Sequence, residues 1–306
     1  MRDLVSKIRG VVTALGTPLD SAEDLHEEGM REQVRMQLRA GVNGLLVTGS
    51  MGAMQLLKDE TYEKSVAVAA DEADGSAFLI VGCGDTSLER TAARIRRIES
   101  FAVDAVALVP PFFFRFTDAE LFDYFKQLSE SSQLPIFLYD NPTYTKHSLN
   151  FELVVELSKL PKIIGLKGSG DFLTFRKCAE YFRECPDFAV VSGQTPFLDV
   201  SLQFGARGIV DGLFAVAPEL GVRIWESFCA GDFRAMTQAQ SKIMKLLSII
   251  QVDSIFAGFT AAMNARGIPG NFAIKPFAPL TPEGRRTVEG ILRQLELRQA
   301  ASAEQG

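Results

Sequence analysis

Histidine is nearly missing from this chain of 306 residues: His26 and His147 are the only two, and they lie far apart in sequence. Their separation argues against a metal site built from imidazoles, and no metal ligand set is expected. Cysteine is also scarce. Cys83, Cys178, Cys185 and Cys229 are scattered with no CxxC pair, so neither a disulfide framework nor a zinc ribbon is indicated, and four free thiols are expected. Positive charge is not in excess: 32 Lys and Arg face 38 Asp and Glu, a net charge of -6. That balance gives no general attraction to nucleic-acid backbones or anionic lipid. Arg94, Arg96 and Arg97 fall between apolar positions of an expected helix and read as a solvated face. No apolar run reaches membrane-spanning length, and MRDLVSKIRG at the start lacks the apolar centre of a signal peptide. A cytoplasmic protein with no membrane or nucleic-acid partner is expected. Internal repeats and low-complexity linkers are also absent.

What is present is core-forming material. Apolar residues make up 47% and charged residues 23%, enough for a sizeable interior. Short apolar runs at 11–15, 44–48, 78–82, 105–109, 136–139, 163–167, 189–192 and 208–210 alternate with helical patterns. Several are apolar at consecutive positions, as strands buried on both faces must be. Eight such βα units fit an α/β fold of the (β/α)8 TIM-barrel kind better than an open doubly wound sheet. Helix starts are marked by Thr86 with Glu89, Thr117 with Glu120, and Thr281-Pro282-Glu283. Leu121, Tyr124, Phe125 and Leu128 then form one helical stripe, and Val288, Ile291, Leu292 and Leu295 another. The expected division is a barrel over 1–217 and a helical extension over 218–306 packed on it. The extension contains a proline-rich connection at 269–282 and ends in a tail, 301–306, expected to fray.

A barrel places its chemistry at the C-terminal ends of the strands. Lys167 closes the run Ile163-Ile164-Gly165-Leu166 and precedes a glycine-rich turn, which puts its amine at the barrel mouth. Desolvation disfavours an ammonium ion, and a neutral amine attacks a carbonyl. Lys275 and Lys146 are the rivals, one in the helical extension and one in a polar loop. Tyr139 ends the preceding strand within Tyr139-Asp140-Asn141-Pro142, where a phenol could pass protons to a neighbouring carbinolamine; a strand-end tyrosine is also a common packing residue. Thr48-Gly49-Ser50-Met51-Gly52 follows strand two. Its glycines let backbone N–H groups approach a small anion, and Ser50 adds a hydroxyl. Neither a Walker spacing nor a GxGxxG fingerprint is present, so no nucleotide cofactor is indicated.

Taken together, these segments resemble the dihydrodipicolinate synthase/N-acetylneuraminate lyase family of class I aldolases. Thr13-Ala14-Leu15-Gly16-Thr17-Pro18 is similar to its first strand, Gly49-Ser50-Met51-Gly52 to its carboxylate loop, and Tyr139-Asp140-Asn141-Pro142 to its tyrosine motif. Gly165-Leu166-Lys167 with Ser169-Gly170-Asp171 is similar to its Schiff-base motif, and Ser192-Gly193-Gln194 and Gly205-Ala206-Arg207-Gly208 follow in order. The resemblance implies pyruvate or a related 2-oxo acid on Lys167 as an iminium, with an aldehyde as co-substrate. It assigns Tyr139 as general acid/base oriented by Ser50, Gly49, Ser50 and Met51 to the carboxylate, and the Val210 carbonyl to the bound oxo acid. No cofactor and no metal are implied. A homotetramer or tight homodimer is, with Phe113 near a subunit interface.

Departures from the family pattern narrow the substrate. Met51 replaces a usual threonine, Ala53 a usual acid, and Phe113 a tyrosine often lent to a neighbouring subunit. Tyr144 stands where dihydrodipicolinate synthases carry an arginine, which disfavours lysine biosynthesis. Gln194 and Thr195 stand where sialate lyases carry acids, which disfavours sialic acid. Asp211 replaces a usual serine, either to hold a substrate hydroxyl or to cap a turn. These residues suggest a hydroxylated aldehyde or its 2-keto-3-deoxy acid. The alternatives are a dehydratase or deaminase using the same iminium, a dihydrodipicolinate synthase-like condensation, and a binder that retains the pocket without turnover.

Overall fold

The computed structural model describes residues 2–297, so the tail expected to fray lies outside the described residues. Eight strands run parallel: β1 (Gly10–Ala14), β2 (Gly44–Val47), β3 (Phe78–Gly82), β4 (Ala105–Leu108), β5 (Ile136–Asp140), β6 (Ile163–Gly168), β7 (Ala189–Ser192) and β8 (Gly208–Asp211). They pair in sequence order, and β8 returns to β1 to close the barrel. The fold is the expected (β/α)8 barrel, and each strand overlaps its expected segment. Val12, Leu46, Ile80, Ala107, Phe137 and Val210 fill the lumen, and Val5 and Ile8 join them from the start of the chain. Val11, Leu45, Leu79, Val106, Leu138 and Leu166 belong to the larger core between barrel and helices. Both faces of every strand are therefore dry, which is why the runs read as continuous apolar segments.

One irregularity decides where β6 points its side chains. Ile136 pairs with Ile163, but Phe137 pairs with Gly165, so Ile164 is an extra residue on β6. Alternation along a strand puts every second side chain on the same face. With Ile164 in the lumen, strict alternation would send Lys167 outward. The bulge resets the phase: Ile164 stays in the lumen, Leu166 packs outward, and Lys167 comes into register with Tyr139. Gly165 makes room for this, because a Cβ there would lie 2.5 Å from Phe137 Cζ and 2.4 Å from the Ala189 carbonyl oxygen.

The helices follow their caps in two cases of three. Thr117 and Glu120 form the full capping box, and Leu121, Tyr124, Phe125 and Leu128 are buried behind it. Thr281 caps the helix Pro282–Gln294, with Val288, Leu292 and Leu295 buried and Ile291 half-buried. The third is corrected: Ser87, not Thr86, caps Leu88–Ile98, because Thr86 bonds the Asp85 carboxylate through its amide (2.6 Å) and hydroxyl (3.2 Å). The arginine face is corrected in part. Arg96 and Arg97 are exposed, but Arg94 is buried and donates to Asp85 at 2.7 Å, a pairing that helps hold the Asp85 carboxyl down to about 2 against the opposing effect of burial.

The last strand, β8, ends at Asp211. The helix Pro218–Cys229 lies against β1 and the helix Glu27–Ala40 and completes the ring, so the layer outside the barrel begins with Phe233–Leu246. No single helix among the described residues is long and apolar enough to cross a membrane. Gly165→Ala should lose about 1–3 kcal/mol of stability by overpacking, read as a lower denaturant midpoint at unchanged slope. A midpoint equal to that of the parent would mean that Phe137 and β7 yield freely and that the bulge is not tightly held.

Candidate active site

Lys167 sits at the end of β6 with only 7% of its surface exposed. Its Nζ lies 3.9 Å from the centroid of the Tyr139 ring, the residue it pairs with across the sheet. The neighbouring strand end is kept bare for it. A Cβ on Gly193 would come 3.0 Å from Lys167 Cε and 2.2 Å from Ser169 Oγ. The Tyr139 hydroxyl is 3.2 Å from Ser50 Oγ and accepts a hydrogen bond from Asn141 Nδ2 at 2.8 Å. Burial by itself would push the phenol up. The nearby Lys167 charge and the hydrogen bonds from Ser50, Lys167 and Asn141 outweigh it and bring the phenol below its ordinary value. A phenol so placed exchanges protons more readily near neutral pH.

The loop after β2 carries the second group. Thr48 and Ala53 both hold left-handed backbone (φ 49° and 52°), an uncommon conformation for residues with a Cβ and a costlier one for a β-branched threonine. This bend lifts Ser50 and Met51 to the cavity. Their amides find no acceptor among the described residues, which leaves two donors for an anion. Gly49 packs over Leu46 and shapes the turn without lining the cavity itself.

The cavity over Lys167 has a volume of about 180 Å³. Ser50, Met51, Tyr139, Tyr144, Lys167, Val210 and Asp211 all border it, as the sequence leads one to expect. Gln194 does not: its amide donates to the Gly170 carbonyl at 2.8 Å and braces the turn after β6. The Thr195 hydroxyl donates to Asp211 Oδ2 at 2.5 Å, and the other Asp211 oxygen accepts from the Leu213 amide at 2.8 Å. Burial raises the Asp211 carboxyl above its usual range, against these bonds and the Lys167 charge. The rival lysines, Lys146 and Lys275, are exposed and border neither this cavity nor the one beside it.

Four contributors lay outside the sequence argument. Asn141 was visible only as part of a motif, with no sign that its amide reaches back to Tyr139. Leu247, Ile250 and Ile255 come from the helical extension and roof the cavity. No local pattern marks them, because they reach the site through packing. A second cavity of about 330 Å³ adjoins the first and shares Ser50, Asn141, Tyr144 and Ile255 with it. Its remaining wall is largely Ala53, Leu56, Val109, Phe112, Phe256 and Phe277. Lys167 is the only cation among the described residues lining either space.

The model of the dihydrodipicolinate synthetase family matches residues 7–295. The chain belongs to that family. Among its relatives, a 4-hydroxy-tetrahydrodipicolinate synthase of Exiguobacterium sp. is 28% identical over 297 residues, covering 95% of this chain and 99% of that one. A DapA-like lyase of Halobacterium salinarum is 26% identical, covering 95% of each. Among solved structures, a monomeric dihydrodipicolinate synthase variant aligns with a TM-score of 0.90 at 26% identity, covering 96% of this chain and 99% of that one. Dihydrodipicolinate synthase from Thermotoga maritima aligns at 0.88 and 26%, covering 94% and 99%. The protein is thus an enzyme of the class I aldolase and lyase type, which counts against a binder without turnover.

Within this family member, Asn141→Leu should move the pH-rate limb governed by Tyr139 to higher pH. The amide stabilises the phenolate, and its removal returns the phenol towards its ordinary value. Tyr139→Phe should slow turnover by roughly 10²–10⁴. Profiles of kcat against pH for both variants check this, and an unshifted limb in Asn141→Leu would assign that limb to another group.

Proposed function

We propose that the protein is a Schiff-base lyase that forms or breaks a C–C bond next to a pyruvate-type 2-oxo acid held on Lys167. The observation that carries this reading is the buried Lys167 amine lying against Tyr139, whose hydroxyl is itself held by Ser50 and Asn141. The Lys167 amine adds to the ketone of the 2-oxo acid, and loss of water leaves an iminium. Tyr139 is within reach to carry the protons of that step. Loss of a proton from C3 gives an enamine, and its carbon attacks an aldehyde while the aldehyde oxygen takes a proton from Tyr139. Water then hydrolyses the iminium, releasing the product and the free lysine. Cleavage runs the same steps backwards. The amides of Ser50 and Met51 hold the carboxylate, and the Val210 carbonyl faces the bound acid.

The substrate's far end carries no second carboxylate in this reading. Tyr144 occupies the rim position, and no arginine among the described residues lines either cavity to form a bidentate fork. Aspartate semialdehyde is therefore a poor acceptor. The exposed pair Phe113 and Phe114 (72% and 69% exposed, rings 5.0 Å apart) is the proposed contact of a homodimer or homotetramer, with Phe113 presented by left-handed backbone at φ 90°. The cytoplasm is the proposed location.

Borohydride reduction in the presence of pyruvate should add one reduced pyruvate per chain at Lys167, located by peptide mapping. Lys167→Ala should neither trap pyruvate nor turn over. A label at Lys146 or Lys275 would overturn the mechanism. Release of an aldehyde together with pyruvate separates C–C cleavage from loss of water or ammonia through the same iminium.

A further inference from the structure

We infer that the aldehyde half of the substrate is apolar, an alkyl or aromatic aldehyde whose chain or ring lies in the 330 Å³ annex beside the lysine. This rests on the Schiff-base reading above and adds the chemical class of the second substrate. The aldehyde carbon must reach the enamine on Lys167, and its oxygen must reach the Tyr139 hydroxyl. Ser50, Asn141 and Tyr144 border both spaces, so a substituent leaving that point runs into the annex.

The annex has the volume and the walls for such a group. Apolar cavities of about 150 Å³ already admit benzene. Leu56, Val109, Phe112, Phe256 and Phe277 offer aliphatic and aromatic contact, and no charged residue lines the space. Its polar groups are mostly committed. Ser50 and Asn141 bond the Tyr139 hydroxyl, and the Thr145 hydroxyl donates to the carbonyls of Asn141 (3.1 Å) and His147 (3.0 Å). Gln55 and Tyr144 lie exposed at the rim, and among the described residues the Tyr144 hydroxyl is left as the annex's one uncommitted hydroxyl. A polyol chain entering here would give up its water and find few partners in return.

Of the residues that read in sequence as seats for hydroxyls, Gln194 lies outside the cavity, and each oxygen of Asp211 already accepts one bond, from Thr195 or from the Leu213 amide. Gln194 braces Gly170, and Thr195 and Asp211 bond each other. The sugar-acid expectation is therefore replaced by one in which apolar surface carries specificity.

The test is condensation of pyruvate with an aldehyde panel, using the full-length protein. Across acetaldehyde, butanal and hexanal, kcat/KM should rise by roughly fourfold per methylene until the annex is filled. Benzaldehyde should exceed glyceraldehyde by tenfold or more. Leu56→Asp, at an exposed position, should lower the hexanal-to-acetaldehyde ratio by at least tenfold. A flat alkyl series, a preference for glyceraldehyde, or an unmoved ratio would overturn the inference while trapping at Lys167 left the Schiff-base reading intact. Failure to trap pyruvate would overturn both.

Discussion

The whole site depends on one extra residue in β6. Barrel strands alternate between lumen and helix layer, and the bulge at Ile164 shifts that alternation by one step. Phe137 fills the lumen beneath, Gly165 yields the space its ring needs, and Lys167 emerges above it facing Tyr139. A strand without the bulge would bury its apolar residues equally well. It would turn the lysine into the apolar layer between barrel and helices. The cost of the irregularity is local, and its effect is the direction of a single side chain.

Once Lys167 faces inward, the electrostatics of its neighbours follow. A buried phenol ordinarily holds its proton more tightly, but Tyr139 lies against the lysine and accepts from Asn141. The same nearness acts on Asp211, where the Lys167 charge works against the effect of burial without overcoming it. Two acids at one cavity are thus pushed in opposite directions, the phenol down and the carboxyl up. Asp211 is tied to Thr195 and Leu213, whereas Tyr139 lies directly against the lysine, which is the geometry behind the proposed proton transfer.

The barrel was legible because its evidence is periodic and repeated eight times, so an error at one strand end does not alter the fold. Lys167, Tyr139 and Ser50 were legible because each closes or follows an apolar run. Gln194, Thr195 and Asp211 were read by residue type alone, and type does not reveal whether a polar side chain is already spoken for by a neighbour. Thr86 was misread for a similar reason: Asp85 bonds it first and leaves Ser87 to cap the helix. Arg94 looked solvated because the sequence does not show Asp85 waiting for it inside. Leu247, Ile250 and Ile255 could not be found at all, since the extension's packing on the barrel is a tertiary fact with no local signal.

Counting which polar groups remain uncommitted gives a sharper view of substrate than counting which are present. Buried donors and acceptors are satisfied in a folded protein or are kept for a ligand. In and around this cavity, Gln194, Thr195, Asp211 and Thr145 bond one another or backbone, and the Asn141 amide bonds the Tyr139 hydroxyl. Among the described lining residues the Lys167 amine, the amides of Ser50 and Met51 and the hydroxyls of Tyr144 and Ser169 are what remain. An amine with two N–H donors matches one carbonyl and one adjacent carboxylate, the two functional groups of a 2-oxo acid. On the other side the remaining surface is mainly carbon. On the proposed reading the site divides into a half that recognises by charge and covalent chemistry and a half that recognises by exclusion of water. The boundary between them runs through Ser50, Asn141 and Tyr144, where the new bond would form.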